Sequence, residues 1–124
     1  MKLAVLCWEF PPKLVGGLGT YASEILLRFV RLGHDVTLLT LNDGRLKTHE
    51  IIQGVDVHRP LLVDMQDVIP DVVAEDIRRW GPGLKFFSDL MLYNLLSSSK
   101  LVNELVRIER RDYDMVVAHD WLSI

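Results

Sequence analysis

Short, continuous apolar runs constrain the fold of this chain more than any other feature. Residues 3–7 and residues 36–41 are almost entirely apolar, which is typical of strands buried on both faces of a parallel sheet. Between these runs, residues 18–29 place apolar side chains at the spacing of a helix with one buried stripe. Gly33 then provides a residue that can end a helix in the left-handed conformation. The pattern predicts a right-handed strand-helix-strand unit.

Two further strands are predicted downstream. Residues 55–57 alternate apolar and polar side chains after a small bend, and residues 115–118 form a fourth apolar run. A short helix over about residues 72–79 and a longer helical segment over residues 84–110 are predicted between them. Three serines at residues 97–99 predict a kink or a break in the longer helix.

The order of these elements predicts an α/β fold, namely the first half of a Rossmann-like, doubly wound parallel sheet with strand order 3-2-1-4. Residues 1–124 are predicted to form a single partial domain of this kind. Ligands of such sheets bind beyond the carboxyl ends of the strands, where the strand order reverses. Residues 9–19 and residues 119–121 follow the first and fourth strands, so we expect them to meet at that edge.

Charge and composition exclude several classes of partner. The chain has 14 Lys and Arg against 17 Asp and Glu, a net charge of −3, so it has no excess positive charge for a nucleic-acid backbone. No stretch reaches the ~20 apolar residues of a membrane span, and Trp8 and Glu9 interrupt the first run too early for a signal peptide. The single cysteine, Cys7, excludes an internal disulfide, and no Cys/His zinc spacing is present. We therefore predict a soluble cytoplasmic protein without a metal site.

Three glycines mark the start of the predicted first helix, in the order Gly16, Gly17, Leu18, Gly19. Backbone amides at a helix start have no partner within the helix, and glycines leave them open to an anion such as a diphosphate. The helix dipole would favour such an anion by about 0.3–1 kcal/mol per contact. Alternatively, the glycines only permit a tight turn and close packing of the helix on the strand. The residues alone leave both interpretations open.

A second alternative comes from the glycine spacing. Gly17, Gly19 and Ala22 fit the Gly-x-Gly-x-x-Gly/Ala pattern of dinucleotide-binding enzymes, so a nicotinamide- or flavin-dependent oxidoreductase is an alternative function. However, residues 8–15 separate the strand from the glycines, whereas the dinucleotide pattern begins almost directly after its strand. Asp43 also only approximates the acidic residue expected at the end of the second strand.

Two separated stretches of the sequence, residues 8–19 and residues 119–121, resemble one protein family. The chain carries Trp-Glu-Phe-Pro-Pro at residues 8–12, Val-Gly-Gly-Leu-Gly at residues 15–19 and, much later, His-Asp-Trp at residues 119–121. In this order the motifs resemble the N-terminal domain of glycogen and starch synthases and of their glycosyltransferase relatives with two Rossmann domains, the GT-B type. The resemblance spans nearly the whole chain. Archaeal-type glycogen synthases look most similar, mainly through the Glu-Phe-Pro-Pro opening.

The resemblance implies a retaining transfer of glucose from ADP-glucose or UDP-glucose to the non-reducing end of an α-1,4-glucan. The nucleotide sugar is then a substrate, and no cofactor is expected. The family further implies that residues 16–19 face the donor diphosphate and the acceptor cleft, and that Glu9 lies in the same cleft. It implies that His119 is catalytic and hydrogen-bonds the donor sugar, with Asp120 and Trp121 shaping the pocket.

Each of these residues also has a plainer interpretation. His119 could be a strand-end histidine bonded to backbone, Glu9 a solvated loop acid, and Asp120 a helix N-cap. Many bacterial and plant synthases have Lys-x-Gly-Gly, with the lysine near the donor phosphates. Here Leu14 occupies the place of that lysine, and Lys13, which stands one residue further from the glycines, is the candidate substrate-binding lysine.

Nothing in the chain corresponds to the second Rossmann domain, which in this family binds most of the nucleotide sugar. We therefore predict that the chain alone does not transfer glucose and that its partners are a nucleotide sugar, an α-glucan acceptor and the missing C-terminal domain. A sheet that stops after its fourth strand is predicted to expose an apolar edge and to self-associate. A non-catalytic glucan- or nucleotide-binding module is the remaining alternative.

Overall fold

One sheet organises the protein. The computed structural model describes residues 1–14, 16–60, 75–79 and 81–119. Five strands pair in the order β3-β4-β2-β1-β5, and their bounds are Lys2–Leu6 (β1), Asp35–Leu39 (β2), His49–Ile52 (β3), Val55–His58 (β4) and Met115–Ala118 (β5). Strands β4, β2, β1 and β5 are parallel, and β3 is antiparallel to β4. The predicted α/β class is confirmed, and the parallel strands follow the predicted 3-2-1-4 order.

The additional strand β3 was not predicted. It forms a hairpin with β4 through a two-residue turn, in which Gln53 has φ +49° and Gly54 has φ +89°. Two consecutive residues with positive φ are typical of the turn whose twist matches that of a hairpin. The predicted small bend before the third strand is therefore a complete hairpin turn, and it extends the sheet by one edge strand.

Within the described residues, four helical segments accompany the sheet, with bounds Gly17–Arg31 (α1), Glu75–Arg78 (α2), Pro82–Ser99 (α3) and a π-helix at Lys100–Ile108. The helix predicted over residues 72–79 is observed as α2, and residues 72–74 lie outside the described part. At the serines the long helix does not break. It changes from α to π at Lys100, and it ends where the Glu109 N–H donates to the Glu104 carbonyl at 2.9 Å.

Helix α1 ends as the sequence predicts. Gly33 adopts φ +86°, its N–H donates to the Val30 carbonyl at 3.0 Å, and the His34 N–H donates to the Phe29 carbonyl at 3.0 Å. These two bonds form the Schellman arrangement, which satisfies the last carbonyls of a helix. The chain can therefore turn directly into β2.

The helices cover both faces of the sheet. On one face, Ala22 and Leu26 of α1 pack on Leu3 and Val5 of β1 and on neighbouring strand residues. On the other face, the π-helix contributes apolar contacts to a smaller cluster, whose buried members are Ala4, Leu6, Leu39, Leu101 and Leu105. Two covered faces explain why the strand runs are continuously apolar. No helix among the described residues is long and apolar enough to cross a membrane.

Strand β5 lies at one edge of the sheet. It pairs with β1, and Met115 and Val116 are 50% and 58% exposed. Unpaired strand edges with apolar side chains favour association with other chains. The geometry agrees with the predicted exposed edge, while self-association itself stays a prediction.

Candidate functional site

The first and last described strands end side by side. Leu6 of β1 pairs with Ala118 of β5, and the His119 N–H donates to the Leu6 carbonyl at 2.9 Å. The segments that follow these strands therefore leave the sheet from the same edge, although they are far apart in the sequence. The sequence placed its candidate ligand site at this edge.

His119 contacts the beginning of α1. Its imidazole lies edge-on to the Tyr21 ring, with the ring centroids 5.7 Å apart and the planes at 78°. Tyr21 is four residues after Gly17, one helical turn along α1. The imidazole is half-buried and lines a small, mainly apolar groove of about 180 Å³ between α1 and the β5 edge. His119 and the glycines thus lie on the same face of the sheet.

The carboxylate of Glu9 lies over the start of α1. The Gly16 N–H donates to Oε2 of Glu9 at 2.9 Å, and Gly16 is the residue that precedes the helix. A carboxylate at this position interacts favourably with the positive end of the helix dipole. The sequence predicted both an anion site and a cleft position for Glu9. It did not predict that the side chain would itself occupy the position expected for an external anion.

The glycines at the start of α1 differ in their surroundings. A Cβ added to Gly19 would lie 2.3 Å from Cδ2 of Leu14 and 3.1 Å from Cβ of Glu9, whereas one added to Gly16 or Gly17 would meet nothing within 4 Å. Gly19 therefore permits close packing, which was the plainer of the two interpretations. Gly16 and Gly17 instead border open space, as an approaching ligand requires.

Lys13 lies near the loop after β2. It lines a cavity of about 540 Å³ together with Asp43 and Arg45 of the loop after β2. The Arg45 N–H donates to Oδ1 of Asp43 at 3.0 Å and the Arg45 guanidinium to Oδ2 at 3.1 Å. The backbone bond from Arg45 is the main cause that lowers the pKa of Asp43, and the nearby Lys13 charge adds to it. Within the described residues no hydrogen bond joins Lys13 to the glycines.

Trp8 has a packing role. It is 8% exposed and packs edge-on against Tyr93 of α3, with the ring centroids 5.2 Å apart. The Tyr93 hydroxyl in turn donates to the Leu39 carbonyl at 3.0 Å. Trp8 therefore fixes the exit of β1 against α3. Asp120 and Trp121 lie outside the described residues.

A buried arginine connects the hairpin to the loop before α1. The Arg59 side chain is fully buried, and its Nη1 donates to Oε1 of Glu50 at 2.5 Å and to the Lys47 carbonyl at 3.2 Å. Its Nη2 donates to the Pro11 carbonyl at 3.3 Å. The buried contacts of Arg59 were not predicted from the sequence, because an arginine next to a strand end is ordinarily solvated.

The hairpin carries a second cluster of charged and polar side chains. Nε2 of His49 lies 2.6 Å from Oδ1 of Asp56, while Nε2 of His58 and Nη1 of Arg111 lie 3.1 and 2.5 Å from its Oδ2. Burial disfavours the charge of Asp56, but hydrogen bonds from His58, Arg111 and His49 outweigh it and hold the pKa of the Asp56 carboxyl well below its usual range. This cluster was not predicted from the sequence, because the hairpin that forms it was not predicted.

Comparison with known proteins finds glycosyltransferases that are similar to this chain. An uncharacterized glycosyltransferase of Methanocaldococcus jannaschii is 41% identical over 123 residues, which is 99% of this chain and 26% of the relative. The chain is a sequence relative of glycosyltransferases of the glycogen synthase kind. Glycogen synthases of two Mycobacterium tuberculosis strains are 26% identical over 134 residues, which cover 98% of this chain and 28% of each relative. The chain thus spans about a quarter of the length of these glycosyltransferases. No family model matches it.

Proposed function

We propose that this chain is the acceptor-side part of a retaining glycosyltransferase that moves glucose from ADP-glucose or UDP-glucose to the non-reducing end of an α-1,4-glucan. One observation carries the proposal. In a chain whose relatives are glycosyltransferases, His119 and the glycine-bordered start of α1 lie on one face at one edge of the sheet. The reaction needs no resident cofactor, since the nucleotide sugar supplies the activated glucose.

The start of α1 is proposed to face the donor diphosphate. Gly16 and Gly17 leave space there, because a Cβ added at either position would meet no described residue within 4 Å apart from its chain neighbours and its own helix backbone. Amides at a helix start and the helix dipole favour an anion. Glu9 accepts a hydrogen bond from Gly16, so it must move aside when a diphosphate takes this amide. Lys13 is left out of the proposal because it lies beside Asp43.

His119 is proposed to bind a hydroxyl group of the transferred glucose. The backbone N–H of His119 donates to the Leu6 carbonyl, and the imidazole makes the edge-on contact with Tyr21. A side chain held in this way can orient the sugar while positive charge develops at the anomeric carbon. Asp120 and Trp121 are proposed to shape the pocket around it. A complete enzyme also needs a donor-binding domain, which lies outside this chain in the proposal.

Nuclear magnetic resonance titrations of the 124-residue chain test the site. Maltooligosaccharide and ADP or UDP should each shift the backbone amides of residues 16–19 and the ring of His119. The variant His119→Gln should weaken glucan and nucleotide-sugar binding, while His34→Gln, at the opposite end of β2, should bind as the wild type does. Shifts confined to other regions, or equal effects of the two variants, would contradict the proposed site.

The same titrations separate the alternatives. Glucan binding without any response to ADP or UDP would favour a glucan-binding module. Tight binding of a nicotinamide or flavin dinucleotide would favour an oxidoreductase and contradict the proposal. Because the donor domain is absent, the chain alone should not incorporate labelled glucose into glycogen. Detectable incorporation would show that the proposed division between two domains is wrong.

The edge of β5 gives a separate test of the predicted self-association. Met115 and Val116 are exposed there, so we expect concentration-dependent dimers in size-exclusion chromatography with light scattering. Replacing Val116 with lysine should restore the monomer, because edge lysines oppose strand pairing. A wild-type monomer at high concentration would argue against association through this edge.

The cytoplasmic location also stays a prediction.

A further inference from the structure

The hairpin β3–β4 brings three metal-binding side chains together outside the proposed glycosyltransferase site. His49 of β3 pairs directly with His58 of β4, and Asp56 lies two residues before His58. Residues two apart on a strand point to the same face. Val55 and Val57 pack in the cluster with α1, so the three side chains lie on the opposite face of the sheet.

The distances among these side chains suit a small cation. One ring nitrogen each of His49 and His58 and a carboxylate oxygen of Asp56 all lie within 4.8 Å of one another. The two imidazole rings stack with centroids 4.4 Å apart and planes at 10°. In a tetrahedral zinc site with bonds of about 2.0–2.2 Å, neighbouring ligand atoms are roughly 3.3 Å apart. Modest tilts of the rings therefore bring the three atoms to ligand distances.

We propose that His49, Asp56 and His58 form a binding site for a zinc ion. Two imidazoles and one carboxylate are a donor set that zinc accepts together with an open fourth position. Hard cations such as Mg²⁺ prefer oxygen ligands, so this set disfavours them. The three ligands come from two adjacent strands, and the ion would hold the hairpin together.

The surroundings allow an ion and a water molecule to enter. One cavity of about 450 Å³ is lined by His49, Asp56 and Arg111, and another of about 550 Å³ is lined by His49 and His58. The His49 side chain is 52% exposed and that of His58 only 3%. The buried ligand is held in place, while the exposed one can swing to admit the ion.

Arg111 determines which oxygen of the Asp56 carboxylate is left to bind zinc. Its Nη1 contacts Oδ2 of Asp56 at 2.5 Å, as does Nε2 of His58 at 3.1 Å, while Oδ1 contacts Nε2 of His49. In the proposed site Oδ1 becomes the zinc ligand and Arg111 keeps Oδ2. A hydrogen-bonded second oxygen orients a ligating carboxylate. The guanidinium charge also opposes the ion, which indicates a moderate affinity.

Cobalt titration of the untagged 124-residue chain tests the site, because Co²⁺ replaces Zn²⁺ and absorbs visible light. We expect one Co²⁺ per chain with the absorption of a four-coordinate ion, displacement by Zn²⁺ and no competition from Mg²⁺. His49→Ala and His58→Ala should each weaken binding by about 100-fold. His34→Ala, which removes a histidine outside the cluster, should bind as the wild type does.

Histidine-ring nitrogen spectra of the wild type provide a readout that does not depend on the folding of variants. Zinc should shift Nε2 of His49 and His58 and leave the rings of His34 and His119 unchanged, which accounts for all four histidines. Absence of stoichiometric Co²⁺ absorption would overturn the proposal. Unchanged rings of His49 and His58 at saturating zinc would do so as well. Neither result bears on the glycosyltransferase site, since that site uses other residues.

Discussion

Two charged regions of the sheet, the start of α1 and the hairpin β3–β4, are built in different ways. At the start of α1, backbone amides and glycines border open space, and a single carboxylate, that of Glu9, lies over them. At the hairpin, Arg59 is paired with Glu50 and Asp56 with Arg111. The first region is suited to exchange one anion for another. The second holds its charges in fixed pairs.

Arg59 joins these two regions, so its ion pair should give the largest effect of substitution. Glu50→Ala leaves the fully buried guanidinium without its carboxylate and should cost about 3 kcal/mol of unfolding free energy. Arg59→Met leaves Glu50, which is 31% exposed and can hydrate, and should cost about 1–2 kcal/mol. Chemical denaturation followed by circular dichroism measures both. A larger cost for Arg59→Met would mean that the bond to Pro11 matters more than the buried charge.

Replacing a glycine with alanine should change the stability by different amounts in the two regions, and both changes should be smaller than that of Glu50→Ala. Gly54→Ala places a Cβ at φ +89° and only 2.6 Å from Cγ1 of Val30. A left-handed conformation costs an ordinary residue about 1–2 kcal/mol, and the stiff valine adds to this. Gly17→Ala meets no neighbour and should change the stability by less than about 0.5 kcal/mol. Equal losses of stability for the two variants, measured by thermal unfolding, would contradict the distinction between a packed and an open glycine.

The smallest expected effect concerns Glu9. If its carboxylate competes with an external anion, Glu9→Gln should raise the affinity for ADP or inorganic phosphate about twofold to fivefold, as a helix-dipole contact of about 0.3–1 kcal/mol implies. Glu24→Gln changes an exposed acid in the middle of the same helix and is the matched control. Amide shifts of residues 16–19 measure the affinity. An unchanged or lower affinity for Glu9→Gln would show that the carboxylate does not compete.

Much of the fold could be predicted from local pattern. The apolar runs located β1, β2 and β5, and Gly33 located the end of α1, because burial and backbone conformation act within a few residues of one another. The hairpin was missed because its turn is Gln53-Gly54 and its first strand starts with polar residues. The π-helix was missed because a change in hydrogen bonding from four to five residues leaves little trace in the sequence.

The candidate site was predictable only in part. Strand order placed residues 9–19 and His119 at one edge, since parallel strands end on the same side of the sheet. The hydrogen bonds between Glu9 and Gly16 and between Arg59 and Pro11 depend on where the side chains lie after folding. The spacing of these residues in the sequence does not predict them. The cluster of His49, Asp56 and His58 has the same origin. The prediction of no metal site rested on the spacing of Cys and His along the sequence. Ligands that meet across a hairpin that was not predicted leave no such spacing.

Cys7 offers a way to watch the loop before α1 open. It is fully buried, its thiol donates to the Glu9 carbonyl at 3.2 Å, and it is the only cysteine of the chain. A thiol reagent can therefore label the protein only in molecules that have transiently exposed this position. The labelling rate consequently reports the free energy of that local opening. A ligand that seats against the loop should slow the reaction without any engineered probe.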